Sequence, residues 1–280
     1  MSELPVRLHD GSTITATVRG SGPAVLLPVR TEPHDAPTAA AMRAWGADPD
    51  LGAALAAALA ADFTVVTADY EGHRMGVPAP ETLTPGNLAA DLLAVADAAG
   101  ADRFAYYGYS WLALAGLQLA VRTDRLWALA MGGYPPADGP YAAMLDVTRA
   151  AHAKALAPSG SVPDATPGDW DAVQPTAAPE TTRQFVTLYE ALQDFDDTAA
   201  IRALTLPRLA FAGASDDIVY GPGWGDTTVR IASALAARRA DLTAQGWTVA
   251  LLEGLDHMSA MRSEHVLPVL HPWLTAHAPR

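Results

Sequence analysis

The 280-residue sequence contains no cysteine, and this absence excludes several kinds of site. Without thiols there can be no disulfide, no thiolate-bound zinc and no cysteine nucleophile. The sequence also has no glycine loop of the kind that cradles phosphates and no clustered set of metal-ligand side chains. We therefore expect a protein that needs neither a metal ion nor an organic cofactor.

Positive charge is scarce as well. Lys and Arg together number 18 against 31 Asp and Glu, which gives a formal net charge of −13. The few cations are scattered along the chain, whereas binding to a phosphate backbone needs clustered Lys and Arg. We therefore expect no nucleic acid partner.

Long apolar runs are missing, although about half of the residues are hydrophobic. No stretch approaches the length that spans a bilayer without a charge or a helix breaker. Residues 1–20 have neither the basic segment nor the apolar core of a secretory signal. We therefore expect no membrane association and a cytoplasmic location, with the apolar residues forming one large core.

The sequence does contain a regular alternation of short apolar strands with helix-like segments. An Asp10-Gly11 turn between two strand-like segments predicts an antiparallel hairpin. Buried strands are predicted over 24–27, 63–68, 103–107, 126–131, 209–213 and 247–252, and helices over 88–99, 141–156, 181–194 and 228–245. Strands separated by helices in this way predict crossover connections and a mostly parallel sheet.

The most informative stretch is Gly108-Tyr109-Ser110-Trp111-Leu112, where an aromatic strand runs into a helix of small residues. Ser110 lies at the corner, where the first N–H groups of the helix are unpaired and point towards whatever attaches to the serine oxygen. Acyl transfer needs this geometry, so Ser110 is a candidate nucleophile. Serine is also a favoured N-cap residue, and the pentapeptide alone leaves that simpler role open.

This pentapeptide resembles the GxSxG nucleophile elbow of the α/β-hydrolase superfamily, with Leu112 in place of the last glycine. The resemblance covers residues 4–276 and implies the α/β-hydrolase fold, a mostly parallel central sheet flanked by helices with an inserted helical cap. Gly213-Ala214-Ser215-Asp216 is similar to the superfamily's pattern for the triad acid, with Asp217 as the alternative. His257 follows the last predicted strand, where the superfamily has its general base.

The resemblance also implies an oxyanion hole, with the amide of Trp111 as one donor. The second donor would come from the loop after the third strand, where Pro28 and Val29 replace the usual His-Gly. Pro28 has no N–H, so the amide of Val29 or Arg30 would serve. The side chains of Arg30 and His34 could reach a substrate from this loop or could simply be solvated.

A second loop, Asp69-Tyr70-Glu71-Gly72-His73-Arg74, is similar to the superfamily's Asp-x-Arg-Gly-His-Gly turn. Glu71 takes the arginine position, and Arg74 takes the position of the second glycine. The turn is structural in the superfamily, so we interpret His73 as a turn residue and not as a catalytic one.

The regular pattern breaks over residues 134–206. The stretch 157–180 is rich in Pro, Gly, Ala and Asp, and the resemblance implies a lid here that closes the pocket and selects substrates. We therefore divide the chain into a core of residues 1–133 and 207–280 and a cap of residues 134–206. Candidate pocket residues, each of which could instead pack in a core, are Tyr109, Tyr134, Tyr141, Met144 and Trp170.

These features together predict a serine hydrolase that cleaves an ester, lactone or thioester of a small, partly apolar molecule. His257 would take the proton of Ser110, and Asp216 would hold the imidazole tautomer. The altered oxyanion loop and Leu112 would also suit an enzyme that cyclises its substrate, transfers an acyl group or cleaves a carbon–carbon bond. The same pocket could instead hold a ligand without chemistry, because a fold does not name a reaction.

Overall fold

The computed structural model describes residues 2–157 and 177–279. The strands in this part of the chain are β1 (Ser2–Arg7), β2 (Thr13–Arg19), β3 (Ala24–Leu27), β4 (Thr64–Ala68), β5 (Phe104–Tyr109), β6 (Leu126–Gly132), β7 (Arg208–Gly213), β8 (Asp217–Tyr220), β9 (Thr227–Arg230) and β10 (Trp247–Leu252). The helices are α1 (Ala36–Ala44), α2 (Leu51–Leu59), α3 (Tyr70–Gly76), α4 (Pro85–Ala98), α5 (Trp111–Ala120), α6 (Tyr141–Leu156), α7 (Pro179–Glu190), α8 (Asp197–Arg202), α9 (Ala232–Ala244), α10 (His257–Ala260) and α11 (Ser263–His277). None of these helices is both long and apolar enough to cross a membrane.

The central sheet has eight strands in the order β1-β2-β4-β3-β5-β6-β7-β10. The first two pairings, β1 with β2 and β2 with β4, are antiparallel, and the remaining pairings are parallel. The mostly parallel sheet flanked by helices is therefore confirmed. Since the carboxyl ends of parallel strands lie on one edge of a sheet, the loops after β3, β5, β7 and β10 all open on the same side.

Helices cover both faces of the sheet and bury its central strands. One hydrophobic core lies between the sheet and helices that include α4, α5 and α9, and the other lies between the sheet and α2 and α11. All seven residues of β6 are buried, as expected for a parallel strand covered on both faces. The near-continuous apolar character of the strand sequences follows from this arrangement.

The initial hairpin is attached to the body by a buried polar cluster. Asp91 in α4 is 1% exposed and accepts hydrogen bonds from the backbone N–H of His9 at 2.7 Å and from the Tyr70 hydroxyl at 2.7 Å. The His9 Nδ1 atom lies 2.8 Å from the second carboxylate oxygen. Because burial of a carboxylate is costly unless its oxygens are paired, these contacts keep the hairpin docked.

Two local predictions need correction. The predicted helix over 228–245 begins only at Ala232, because residues 227–230 form β9 and pair antiparallel with β8. The Asp217 carboxylate accepts from the N–H groups of Ile231 and Ser233 and so fixes the start of α9 after that hairpin. The predicted turn over 69–74 is largely a short helix, α3, which Asp69 caps through the Gly72 N–H at 2.9 Å.

The segment between β6 and β7 contains α6, α7 and α8. Helices α6 and α7 pack on each other, and Lys154 of α6 lies over the Trp224 ring beside the β8–β9 hairpin, 4.1 Å from its centroid. The division into a core and a cap of residues 134–206 stays a prediction. Most of the predicted lid stretch, 157–180, lies outside the described residues, and so does Trp170.

We expect Asp91→Ala to lower the free energy of unfolding by about 3 kcal/mol, because it leaves the Tyr70 hydroxyl and two His9 groups without their acceptor. Asp97→Ala, an exposed position on the same helix, should cost less than about 1 kcal/mol. Urea unfolding followed by circular dichroism measures both changes. Similar losses in the two variants would show that the buried cluster does not hold the hairpin.

Candidate active site

The corner between β5 and α5 has an unusual backbone conformation at Ser110. Its φ is 56° and its ψ is −132°, a combination that a residue with a side chain rarely adopts. The Ser110 N–H donates to the Gly132 carbonyl at 2.8 Å, and the Ser110 carbonyl accepts from the Ala113 N–H at 2.8 Å. These bonds hold the half-buried serine at the tip of a sharp turn.

Small residues around the corner make the turn possible. A Cβ atom at Gly108 would lie 2.3 Å from the Leu112 carbonyl oxygen, so only glycine fits there. Leu112, which stands where the superfamily pattern has glycine, is 6% exposed and packs into the core. The Tyr106 hydroxyl donates to the Leu112 carbonyl at 2.8 Å. The missing glycine is therefore accommodated without loss of the turn.

Ser110, His257 and Asp216 form a continuous hydrogen-bonded chain. His257 Nε2 lies 3.1 Å from Ser110 Oγ, and His257 Nδ1 lies 2.9 and 3.0 Å from the two oxygens of Asp216. Ser110 follows β5, Asp216 follows β7 and His257 follows β10, and the carboxyl ends of these strands lie at one edge of the sheet. The arrangement allows the imidazole to accept the serine proton while the carboxylate holds the Nδ1–H.

The two adjacent aspartates have different surroundings. Asp216 is 1% exposed and faces His257, whereas the Asp217 carboxylate accepts from the backbone at the start of α9. Burial raises the pKa of Asp216 above its ordinary value, and the hydrogen bond from His257 opposes that rise. Asp216 is therefore the aspartate that is hydrogen-bonded to His257, whereas Asp217 caps the start of α9.

His257 is held from several sides. Asp256 forms a capping box with Ser259 at the start of α10, which places His257 at the first position of that helix. The Tyr109 hydroxyl donates to the His257 carbonyl at 2.9 Å, and the two rings lie 5.2 Å apart. Tyr109, predicted as a pocket residue, therefore contacts the candidate base directly.

The loops that carry Asp216 and His257 are joined to each other by backbone hydrogen bonds. The Ala214 N–H donates to the Leu252 carbonyl and the Ser215 N–H to the Leu255 carbonyl, each at 2.9 Å. A Cβ atom at Gly213 would lie 2.3 Å from the Leu255 oxygen, so a glycine is needed for this close approach. The acid and the base are thus fixed relative to each other before any substrate binds.

Comparison with known proteins gives matches of structure but not of sequence. No protein-family model matches the chain, and no curated protein matches it. An esterase from Thermogutta terrifontis, with malate bound, is 16% identical and has a TM-score of 0.63, with 100% of both chains covered. An enol-lactonase from Burkholderia xenovorans is 20% identical and has a TM-score of 0.62, with 97% of this chain and 99% of the other covered.

A bromoperoxidase from Bacillus anthracis is 18% identical and has a TM-score of 0.58, with 98% of this chain and 100% of the other covered. Esterases, an enol-lactonase and other hydrolases thus match nearly the full length of the chain, whose own sheet is mostly parallel. The chain has the α/β-hydrolase fold. In this fold, Ser110 lies at the turn between β5 and α5.

The predicted oxyanion donors lie at the amino end of α5 and in the loop after β3. Within the described residues, the N–H groups of Trp111, Val29 and Arg30 donate no hydrogen bond. The Arg30 guanidinium is engaged by other groups, because it contacts Asp69 at 3.3 Å and two backbone carbonyls. A role for Val29 or Arg30 would therefore come from the backbone amide.

The remaining predicted pocket residues lie in different surroundings. His34 is half-buried in the loop before α1, and among the described residues it makes no hydrogen bond to Ser110, His257 or Asp216. Tyr134 and Tyr141 are 3% and 9% exposed, pack against each other with ring centroids 6.2 Å apart, and belong to a hydrophobic core. Met144 is partly buried against the same core. The structure thus leaves little free surface on either tyrosine, and their role in binding stays a prediction.

One residue near the site was not singled out from the sequence. Glu71 accepts a hydrogen bond from Trp111 Nε1 at 2.9 Å, so its carboxylate contacts the side chain of the residue that follows Ser110. The substitution of Glu for the superfamily's arginine at this turn was the signal that could have found it. His73, by contrast, lies with its Nε2 2.8 Å from Ser12 Oγ, away from Ser110.

We expect Asp216→Asn to lower kcat/KM about 10³-fold or more, because an amide at this position favours the wrong imidazole tautomer and cannot stabilise its charge. Asp217→Asn keeps an acceptor oxygen for the α9 backbone and should stay within about threefold of the parent. Steady-state hydrolysis of an ester that the protein accepts measures both. A larger loss of kcat/KM in Asp217→Asn than in Asp216→Asn would show that Asp217, and not Asp216, acts on His257.

Proposed function

We propose that this protein is a serine hydrolase that cleaves an ester, lactone or thioester of a small, partly apolar molecule through an acyl-enzyme. The observation that carries the proposal is the unbroken hydrogen-bonded chain from Ser110 Oγ through His257 to Asp216. The esterases and the enol-lactonase among the structures of the same fold support the choice of bond.

In the proposed reaction, Ser110 Oγ attacks the carbonyl carbon while His257 Nε2 takes the hydroxyl proton. The carbonyl oxygen becomes an anion that the amide of Trp111 and an amide of Val29 or Arg30 would bind. His257 then gives its proton to the leaving oxygen or sulfur, and the acyl group stays on Ser110. A water molecule, deprotonated by the same imidazole, releases the acid and restores the serine.

Asp216 has two tasks in this scheme. Its carboxylate accepts the Nδ1–H of His257, which directs the other ring nitrogen towards Ser110 Oγ. It also offsets the positive charge that the imidazole acquires during attack, and its nearly complete burial strengthens this interaction. The hydrogen bond from the Tyr109 hydroxyl and the cap formed by Asp256 would keep the His257 ring in place during both acylation and deacylation.

An aromatic pair lies beside the proposed acyl site. The Trp111 ring meets Phe185 of α7 edge-on, with centroids 5.3 Å apart and an interplanar angle of 82°. Helix α7 belongs to the segment that we propose as the cap, so cap and elbow meet at this aromatic pair. A small acyl group with apolar character fits such surroundings better than a highly charged one does.

Labelling with a fluorophosphonate probe tests the proposal, because such probes modify only activated serines. Mass mapping should find the label on Ser110, and His257→Ala should slow labelling at least about 10³-fold, since the hydroxyl loses its base. Ser110→Ala should abolish labelling and leave the melting temperature nearly unchanged.

Ser12→Ala is the matched control, because Ser12 is the serine whose Oγ lies 2.8 Å from His73 Nε2. This variant should label at the parent rate. No labelling of a folded parent protein would contradict the proposed hydrolysis and favour the non-hydrolytic reading of the altered oxyanion loop. Label on Ser12 would instead identify Ser12, with His73 beside it, as the reactive serine.

A further inference from the structure

Glu71 places a carboxylate beside the nucleophile elbow. It is the second residue of α3, directly after β4, and only β3 separates β4 from the nucleophile strand β5. Its Oε1 atom accepts from Trp111 Nε1 at 2.9 Å. Since Trp111 follows Ser110 in the chain, one indole ring links this carboxylate to the nucleophile.

The indole holds the carboxylate in a fixed place. Trp111 is 9% exposed, with the Phe185 ring edge-on against it and the Tyr70 ring 6.1 Å away. A side chain packed on two sides has few rotamers open to it, so the Nε1–H direction is set by the packing. The hydrogen bond therefore fixes the position of Glu71 Oε1.

No cation neutralises this carboxylate within the described ranges 2–157 and 177–279. The nearby Arg30 pairs with Asp69 and Arg74 pairs with Asp10, while Glu71 has no ion pair. Glu71 is open to solvent, yet the surrounding protein raises its pKa, and the negative charge of Asp69 adds to that rise. Part of the Glu71 side chain thus reaches solvent, while the surrounding protein atoms weaken the solvation of its carboxyl.

A carboxylate in this situation discriminates between ligands by charge. The carboxylate attracts a positive or hydrogen-donating group and repels a second carboxylate, and both effects are stronger where protein replaces part of the water. The interaction acts on binding and not on bond cleavage, since Glu71 contacts the indole and not Ser110 Oγ.

We propose that Glu71 is a specificity-determining residue that favours substrates carrying an ammonium group over substrates carrying a carboxylate. The inference rests on the proposed function, because the discriminated group is the part of the substrate held beside Trp111 while Ser110 attacks. It narrows the substrate class from a small ester to a neutral or cationic one.

Three fluorophosphonates with the same six-carbon arm, ending in a methyl, a trimethylammonium or a carboxylate group, test the inference. The second-order rate constants for labelling of Ser110 are measured for each probe, and the methyl probe normalises any general change in reactivity. Glu71→Gln keeps an acceptor oxygen for the Trp111 indole and removes only the charge. We expect the ratio of cationic to anionic rates to fall about tenfold in this variant.

Glu81→Gln is the matched control, because Glu81 is an exposed carboxylate paired with Arg183 of α7. It removes one charge from the same protein and should leave the ratio unchanged. An equal ratio in the parent and Glu71→Gln would overturn the inference. Equal slowing of all three probes in Glu71→Gln would also overturn it, since Glu71 would then only position Trp111.

A binding measurement separates this inference from the proposed hydrolysis. Calorimetry with the Ser110→Ala variant gives the Kd of hexyltrimethylammonium and of hexanoate, with and without Glu71→Gln. A preference for the cation that depends on Glu71 supports the inference even if Ser110 is not labelled. Labelling of Ser110 without any such preference would uphold the hydrolase and reject the role of Glu71.

Discussion

The whole candidate site depends on the strained backbone at Ser110. A φ of 56° at a residue with a side chain costs about 1–3 kcal/mol, and the turn persists only because its surroundings leave no alternative. Gly108 admits the Leu112 carbonyl, and β6 supplies the acceptor for the Ser110 N–H. Strands β3 and β6, paired on either side of β5, make this strain tolerable.

Parallel pairing then decides where the other groups of the site lie. Strands β7 and β10 run in the same direction as β5, so their following loops reach the same edge as the elbow. Backbone hydrogen bonds between those loops hold Asp216 and His257 at a fixed separation. The placement of Ser110, His257 and Asp216 is thus a consequence of sheet geometry, with Asp256, Ser259 and Tyr109 holding the imidazole in position.

The electrostatic character of the site differs from that of the chain as a whole. A net charge of −13 makes the surface acidic, but surface charges are screened by salt and decide little about one ligand. Asp216 and Glu71 act at short range, where protein replaces much of the water. The Asp216 carboxylate is hydrogen-bonded to His257, which can carry a positive charge. The Glu71 carboxylate is hydrogen-bonded only to the neutral indole of Trp111 among the described residues.

Much of the fold could be predicted because its signals are local. Apolar strands, the helical pattern of α4 and the pattern around Ser110 each involve residues a few positions apart. The same is true of the Gly213–Asp216 stretch and of His257 before a helix. The prediction failed over 228–230 because β-branched residues there pair with β8, a partner that helical periodicity does not reveal.

The sequence by itself determined the order of the elements, the parallel character of the sheet and the three strand-end residues that could form a triad. Only the tertiary structure decided that Asp216 rather than Asp217 faces His257, that Tyr109 bonds to a carbonyl 148 residues away, and that Glu71 meets Trp111. The physical reason is one of range. Local patterns set backbone conformation, but distances between side chains on different strands follow from strand order and from the packing of helices against the sheet.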